Sequence, residues 1–320
     1  MAISRNIKSD RGLTYRMFLT GLFLVLLYGL VVGILIAVGL SYAFVLVIAV
    51  ALIFCQYWFS AKIAMYAMHA KEVTPEQAPE LHGVVDRLCA LADMPKPRVA
   101  IATTDIPNAF ATGRSPKSSV VCVTSGLLRR LEEPEVEAVL SHELSHVAHR
   151  DVAVMTIASG LGMIAGLMTR VLFYSDIFGG GGRGGNNNQN QAGIEMIVLL
   201  VSVVVYFVSF LLTMALSRYR ELAADRSGAL LIGRPSLLAS ALVKITGEMG
   251  RIPTKDLRAA EPFNAFFFTP AVANGSAQGE GGGFSFGNLF RTHPTLEKRL
   301  AQLDSLERQL GQAGPANGTI

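Results

Sequence analysis

Four stretches of this chain run without a single charged residue, and they limit its possible folds more than anything else in the sequence. They are residues 17–39 (MFLTGLFLVLLYGLVVGILIAVG), 42–59 (YAFVLVIAVALIFCQYWF), 152–169 (VAVMTIASGLGMIAGLMT) and 196–216 (MIVLLVSVVVYFVSFLLTMAL). About 20 apolar residues in a helix cross the ~30 Å hydrocarbon core of a bilayer. In lipid the backbone must satisfy its own hydrogen bonds, so such runs are read as helices. Composition agrees: 16% of residues are charged and 51% hydrophobic, where a soluble domain carries about 25% charge. Mean hydropathy is +0.42. Only residues 40–41 separate the first two runs, which predicts a tight helical hairpin. Tyr57 and Trp58 close it as an interfacial aromatic belt would. The first run is too long for a cleavable signal and lacks a small-residue cleavage site. The third run is short, with glycines inside it, and admits a partial or re-entrant span.

Lysine and arginine orient these runs. Arg5, Lys8, Arg11 and Arg16 precede the first; Lys62, Lys71, Arg87, Lys96, Arg129, Arg130 and Arg150 lie between the second and third. The Gly/Asn-rich loop SDIFGGGGRGGNNNQNQAG, between the third and fourth, has Arg183 alone. The positive-inside rule then places the N-terminus, residues 60–151 and everything after 217 in the cytoplasm. A net charge of +4 beside apolar spans points to membrane orientation and not to nucleic acid. A transporter would carry ionisable residues within its spans; these runs have none. Cys55, Cys89 and Cys122 form no CxxC pair and no disulfide framework.

The cytoplasmic part mixes helices with a small sheet. Thr74, Pro75 and Gln77 read as a helix start, with Leu81, Val84, Val85, Leu88 and Leu91 following at helical spacing. PRVAIATT (97–104) and SSVVCVT (118–124) read as strands flanking DIPNAFATGRSPK. A helix begins near Ser125, and Pro134 starts another that runs toward the third apolar stretch.

That last helix carries His142-Glu143-Leu144-Ser145-His146. Positions four apart share a helix face about 6 Å apart along the axis, so both imidazoles can address one ion. Glu143 lies about 100° round, placed to hold a water and not to ligate. Two histidines binding Zn²⁺ and a glutamate taking a proton from acidified water make a hydrolytic site. A metzincin would need Gly at 149 and His at 152; the chain has His149 and Val152. The four glutamates of LEEPEVEAV, just before the motif, exclude a site buried within a spanning helix. A later glutamate is the remaining source of a third ligand. Glu195 falls on the wrong side of the membrane. Glu221, in SRYRELAADRSGA, returns to the right side, with Asp225 one turn on to accept a hydrogen bond from a liganding histidine. The competing reading makes both a solvated face paired with Arg218 or Arg220. His293, before Pro294, is either a donor to an oxyanion, an occupant of the metal's open position, or a turn residue. His149 reads as a surface residue or a neighbour of the ligands. Arg150 and Asp151 read as anchors at the membrane interface, and His69 and His82 as structural.

NAFATG (108–113), HELSH (142–146), RELAAD (220–225) and THPTLEKRL (292–300), in order and set among paired apolar runs, resemble the HtpX-type membrane zinc metalloproteases, relatives of the CaaX prenyl proteases. The resemblance implies one Zn²⁺ per chain on His142, His146 and Glu221, with Glu143 as general base. It implies a gluzincin-like catalytic domain and a multi-pass protein of a bacterial inner membrane that cleaves misfolded or damaged membrane proteins in stress response and quality control. It also implies an edge strand near Asn108 that pairs with the substrate backbone. The expected fold is mainly α (α+β): four transmembrane or membrane-associated helices and a cytoplasmic zincin-like domain with a small β-sheet. The expected organisation is a membrane hairpin at 1–60, the first catalytic part at 61–151, a second hairpin at 152–216 and the second catalytic part at 217–320. Catalytic candidates are Glu143 and His293, metal ligands His142, His146 and Glu221, their support Asp225, and the substrate contact Asn108. Partners are unfolded or membrane polypeptides and membrane lipid, with no nucleic acid. The rival is a zinc-binding membrane scaffold or inactive adaptor that does not need Glu143. Segment 271–287 is expected as a mobile lid and a point of self-cleavage.

Overall fold

The computed structural model describes residues 11–38, 43–178, 188–249 and 291–312. The centre of the Gly/Asn-rich loop and the expected lid at 271–287 lie outside them. The described chain is mainly helical with one small mixed sheet. In order it runs α1 (Arg11–Val38), α2 (Ala43–Ala67), β1 (Ala70–Glu72), α3 (Pro79–Ala92), β2 (Arg98–Ala102), β3 (Ala109–Thr112), β4 (Val120–Thr124), α4 (Ser125–Arg130), α5 (Glu133–Ala148), α6 (Asp151–Phe178), α7 (Asn188–Ile232), α8 (Pro235–Met249) and α9 (Leu296–Gln312).

The described residues of the four apolar runs fall on helices, α1, α2, α6 and α7. Among the described residues, Val50–Ala67 and Met196–Ile232 are long and apolar enough to cross a membrane. A third crossing is counted if α5 and α6, bent by 59° at their junction, act as one. One compact unit comprises Arg11–Trp58 and Ala153–Ser217. Inside it Leu24, Ala158 and Leu216 pack together, as do Ala165 and Val205 with Tyr28. Gly160 packs closely here: a Cβ there would sit 2.9 Å from both Ile53 Cδ1 and the Tyr28 hydroxyl, and these side-chain ends would have to shift. Outward residues such as Phe18, Phe54, Leu200 and Val204 are exposed, as a lipid solvent allows.

The other unit includes Phe59–Val152 and Arg218 onward. Its sheet has the order β1-β2-β4-β3. β2 and β4 are parallel; β1 and β3 are antiparallel edges. β4, VVCVT, is buried along its whole length, the pattern of a strand covered on both faces. Its alternation divides two cores. Val121 and Val123, with Val99, face α3 and α5 residues such as Leu88, Leu140 and Leu144. Val120 and Cys122, with Ala100 and Phe110, face Ala61, Ala64 and Met65 at the end of α2.

α3 starts at Pro79, later than the Thr74-Pro75 signature suggested. Gln77 does bond back to the Thr74 N–H (2.9 Å), but Gln77 N–H also bonds Thr74 O (3.0 Å), so the motif closes a turn and Pro79 opens the helix instead. α5 begins as expected, with Glu132 and Glu135 as a reciprocal capping box around Pro134. It ends at Ala148; Arg150 then adopts a left-handed φ of 55°, and α6 begins at Asp151.

Candidate metal centre

α5 and α7 cross within a backbone's width. A Cβ on Gly228 would lie 2.7 Å from His142 N and 2.9 Å from His142 Cα. Ser141 Oγ donates to Gly228 O across this contact, at 3.2 Å. Two turns earlier on α7, Glu221 meets the histidine face of α5. The His142 and His146 Nε2 atoms are 3.1 Å apart. Glu221 Oε2 is 3.7 Å from His142 Nε2, and Oε1 is 3.4 Å from His146 Nε2. One ligand atom from each of the three residues lies within 4.8 Å of the others. The three expected ligands are therefore brought together.

Each imidazole is held from behind by a carboxylate. His142 Nδ1 lies 2.9 Å from Asp225 Oδ1. His146 Nδ1 lies 2.5 Å from Asp151 Oδ2. Each carboxylate is held by an arginine: Arg299 Nε and Nη2 donate to both oxygens of Asp225 (2.7 and 2.6 Å), and Arg220 Nη2 is 2.8 Å from Asp151 Oδ2. With Nδ1 carrying the proton, both Nε2 lone pairs face the Glu221 carboxylate. Three donor atoms thus converge in a buried place that could hold a metal ion. Glu143, Glu221, Asp225 and Asp151 are buried here together with Arg220 and Arg299. Burial opposes charge on His146, yet the Asp151 hydrogen bond and Glu221 outweigh it and raise the imidazole to about 9. The donor set fits zinc: two imidazoles and a carboxylate, with positions left open.

Glu143 lies on the sheet side of α5. Burial pushes its carboxyl up to about 8. Its Oε2 accepts a hydrogen bond from Ala111 N–H of β3, at 3.0 Å. In an antiparallel pair the N–H and C=O of one residue point to the same side. Asn108 bonds Thr124 through both (N–H to Thr124 Oγ1, 2.9 Å; O from Thr124 N–H, 2.9 Å). Ala109 and Ala111 therefore present their backbone groups away from β4, and the Ala111 N–H meets Glu143 there. Asn108 itself is fully buried and stands one residue before the strand. His293 Nδ1 lies 3.3 Å from Glu221 Oε2. Arg218 Nη1 donates to Arg291 O (2.7 Å) and holds the segment that carries His293.

Three residues of this centre carried no such role in the sequence reading. Asp151 is no interface anchor: it is buried on His146 and Arg220. Arg220 pairs with Asp151, and not with Glu221 or Asp225 as the competing reading had it. Arg299 stood inside THPTLEKRL without a partner assigned; spacing within one segment does not show a contact 74 residues away. His149 is exposed at the end of α5, and His82 is a structural residue 3.0 Å from Val73 O.

Residues 75–307 match Peptidase family M48. Protease HtpX homolog 1 of Streptomyces coelicolor is 58% identical over 312 residues, spanning 97% of this chain and 98% of the relative. Protease HtpX homolog of Moorella thermoacetica is 50% identical over 306 residues, 96% of this chain and 98% of the relative. Among solved structures, S. mikatae Ste24p shares the fold at a TM-score of 0.52 and 16% identity, over 91% of this chain and 67% of that one.

Proposed function

The chain belongs to peptidase family M48, and on that premise we propose that it is a membrane-anchored endopeptidase with one zinc per chain on His142, His146 and Glu221. The observation that carries this is the convergence of three metal donors beside a buried glutamate on a sheet edge. Zinc bound there supplies Lewis acidity, polarising a scissile carbonyl and lowering the pKa of water toward ~7.

The chain's own groups do the rest. An extended substrate pairs with the backbone of Ala109 and Ala111, on the side of this edge strand away from β4, and takes the Ala111 N–H from Glu143. Asn108, locked to Thr124, anchors the start of that edge. This pairing lays the scissile bond along α5 at the level of Glu143. Glu143 takes a proton from the attacking water and returns it to the leaving amine nitrogen. His293, next to Glu221, is placed to donate to the oxygen on which negative charge develops. Asp225 keeps His142 in the tautomer that presents Nε2.

α1, α2, α6 and α7 serve as membrane helices, with the catalytic parts at 61–151 and 217–320 on the cytoplasmic side of a bacterial inner membrane. The lysine and arginine distribution supports that orientation. Substrates are unfolded or damaged membrane polypeptides, since pairing through an edge strand needs an extended backbone and no particular side chain.

The test is cleavage of casein by detergent-purified protein, with zinc content measured. Wild type should hold one zinc and cut; Glu143→Gln should hold one zinc and not cut. If both hold zinc and neither cuts, the site is a scaffold and the hydrolytic reading falls.

A further inference from the structure

We infer that Asp151 and Arg220 form a positioning pair for the metal centre, acting on the ion through His146. The inference rests on the zinc reading above. Asp151 Oδ2 receives both His146 Nδ1 (2.5 Å) and Arg220 Nη2 (2.8 Å). Asp151 is 4% exposed and Arg220 9%. An interfacial anchor would keep its charged head in water or among headgroups; this pair does neither.

The backbone is shaped to make the contact. On an unbroken helix, a residue five after His146 would point about 140° away from it. The chain instead breaks after Ala148. His149 N–H still reaches Ser145 O (3.0 Å), and Arg150 N–H closes a tighter turn on Val147 O (3.1 Å). Arg150 takes a left-handed φ of 55°, a conformation that costs a non-glycine residue about 1–2 kcal/mol. Restarting at Asp151 puts a carboxylate at the N-terminus of α6, where the helix dipole favours negative charge, and brings it back beneath His146. A carboxylate there fixes the proton on Nδ1, turns Nε2 to the ion and makes the imidazole a stronger donor.

Arg220 completes the device. It adjoins Glu221 on α7, about 100° round the helix. One side chain reaches Asp151 behind His146; the other faces the Nε2 atoms in front. α7 thus grips the His146 ring from both sides. The arrangement repeats at His142, where Asp225 and Arg299 stand in the same relation.

The experiment uses the full chain in detergent: wild type, Asp151→Asn, Asp151→Ala and Arg220→Gln. It reads zinc affinity by chelator competition, the visible spectrum of the cobalt-substituted protein, and melting of the metal-free protein. The Asp151 variants should bind zinc about 10- to 100-fold more weakly, with shifted cobalt bands and little change in metal-free melting. A merely structural role would move the melting and leave the cobalt bands of the folded fraction unchanged. Should neither Asp151 variant fold, Arg220→Gln decides: about 10-fold weaker zinc is expected, and unchanged affinity overturns the inference. If wild type holds no zinc, the metal reading falls and this inference with it. If wild type holds one zinc and a folded Asp151→Asn holds it as tightly, with the same cobalt spectrum, this inference alone falls.

Discussion

Gly228→Ala is the sharpest test of how the centre is assembled, because it adds one methyl group at a point with no room for it. The new Cβ would lie 2.7 Å from His142 N and 2.9 Å from His142 Cα and Ser141 C. Ordinary contact begins near 3.4 Å, so α7 and α5 must part by about 0.5–0.7 Å, backbone against backbone, with no flexible side chain to yield. Overpacking of this kind costs about 1–3 kcal/mol. The same displacement carries Glu221 and Asp225 on α7 away from His142, which they face at 3.7 and 2.9 Å. Misplacement by about 1 Å can lower a rate about 100-fold, so a loss of roughly 10- to 100-fold in kcat/KM is expected, with weaker zinc binding alongside. The assay is chelator competition for zinc with casein cleavage and thermal melting, run against Gly247→Ala. Gly247 lies within α8, and a Cβ there meets nothing within 4 Å; alanine should stabilise it by up to about 1 kcal/mol. If Gly228→Ala matches wild type in zinc affinity, cleavage and melting, the close crossing does not set the ligand geometry and the reasoning fails.

Thr124→Val removes the hydroxyl oxygen that accepts from the Asn108 and Leu127 N–H groups, which costs about 1–3 kcal/mol; because it loosens the start of β3, KM for a peptide substrate should rise more than kcat falls. Removing zinc with a chelator should abolish cleavage and lower the melting temperature, since an ion that binds only the folded chain stabilises it; adding zinc should restore both. Glu135 gives a pH dependence remote from the metal: burial would raise its carboxyl, but hydrogen bonds from Lys244 and Ser240 outweigh that and hold it below its ordinary 4.5. A lowered folded pKa means stability that is complete above 4.5 and lost as pH falls through the folded value. Acid melting curves of Glu135→Gln should therefore be flatter across that window than those of wild type.

What could be read from the sequence and what could not divide along one physical line. His142, Glu143 and His146 were legible because helical geometry places residues four apart on one face whatever the rest of the chain does. The strands β2 and β4 were legible because strands covered on both faces read as short apolar runs, VAIA and VVCV, between polar residues. Glu221 and Asp225 were reachable because they too share a helix face and follow an even number of apolar runs. The failures all depend on a break or on distance. Thr74 and Gln77 form one of the two hydrogen bonds of a capping box, Gln77 Oε1 accepting from Thr74 N–H; the Gln77 N–H goes to the Thr74 carbonyl and closes a turn, and Pro79 opens the helix instead. Asp151 was misread because its role exists only once Arg150 turns left-handed, and arginine gives no local sign of doing so. Arg220 and Arg299 were missed because an arginine's partner is chosen by the fold. Ligands to an ion must be a small set of side chains in a small set of spacings, so they leave a pattern. The groups that hold those ligands need only reach them. They come from the start of α6, from the turn of α7 just before Glu221, and from α9. A search for support to a metal site should therefore begin where a ligand helix ends, and should treat a buried carboxylate just past a left-handed residue as a candidate even when periodicity points it elsewhere.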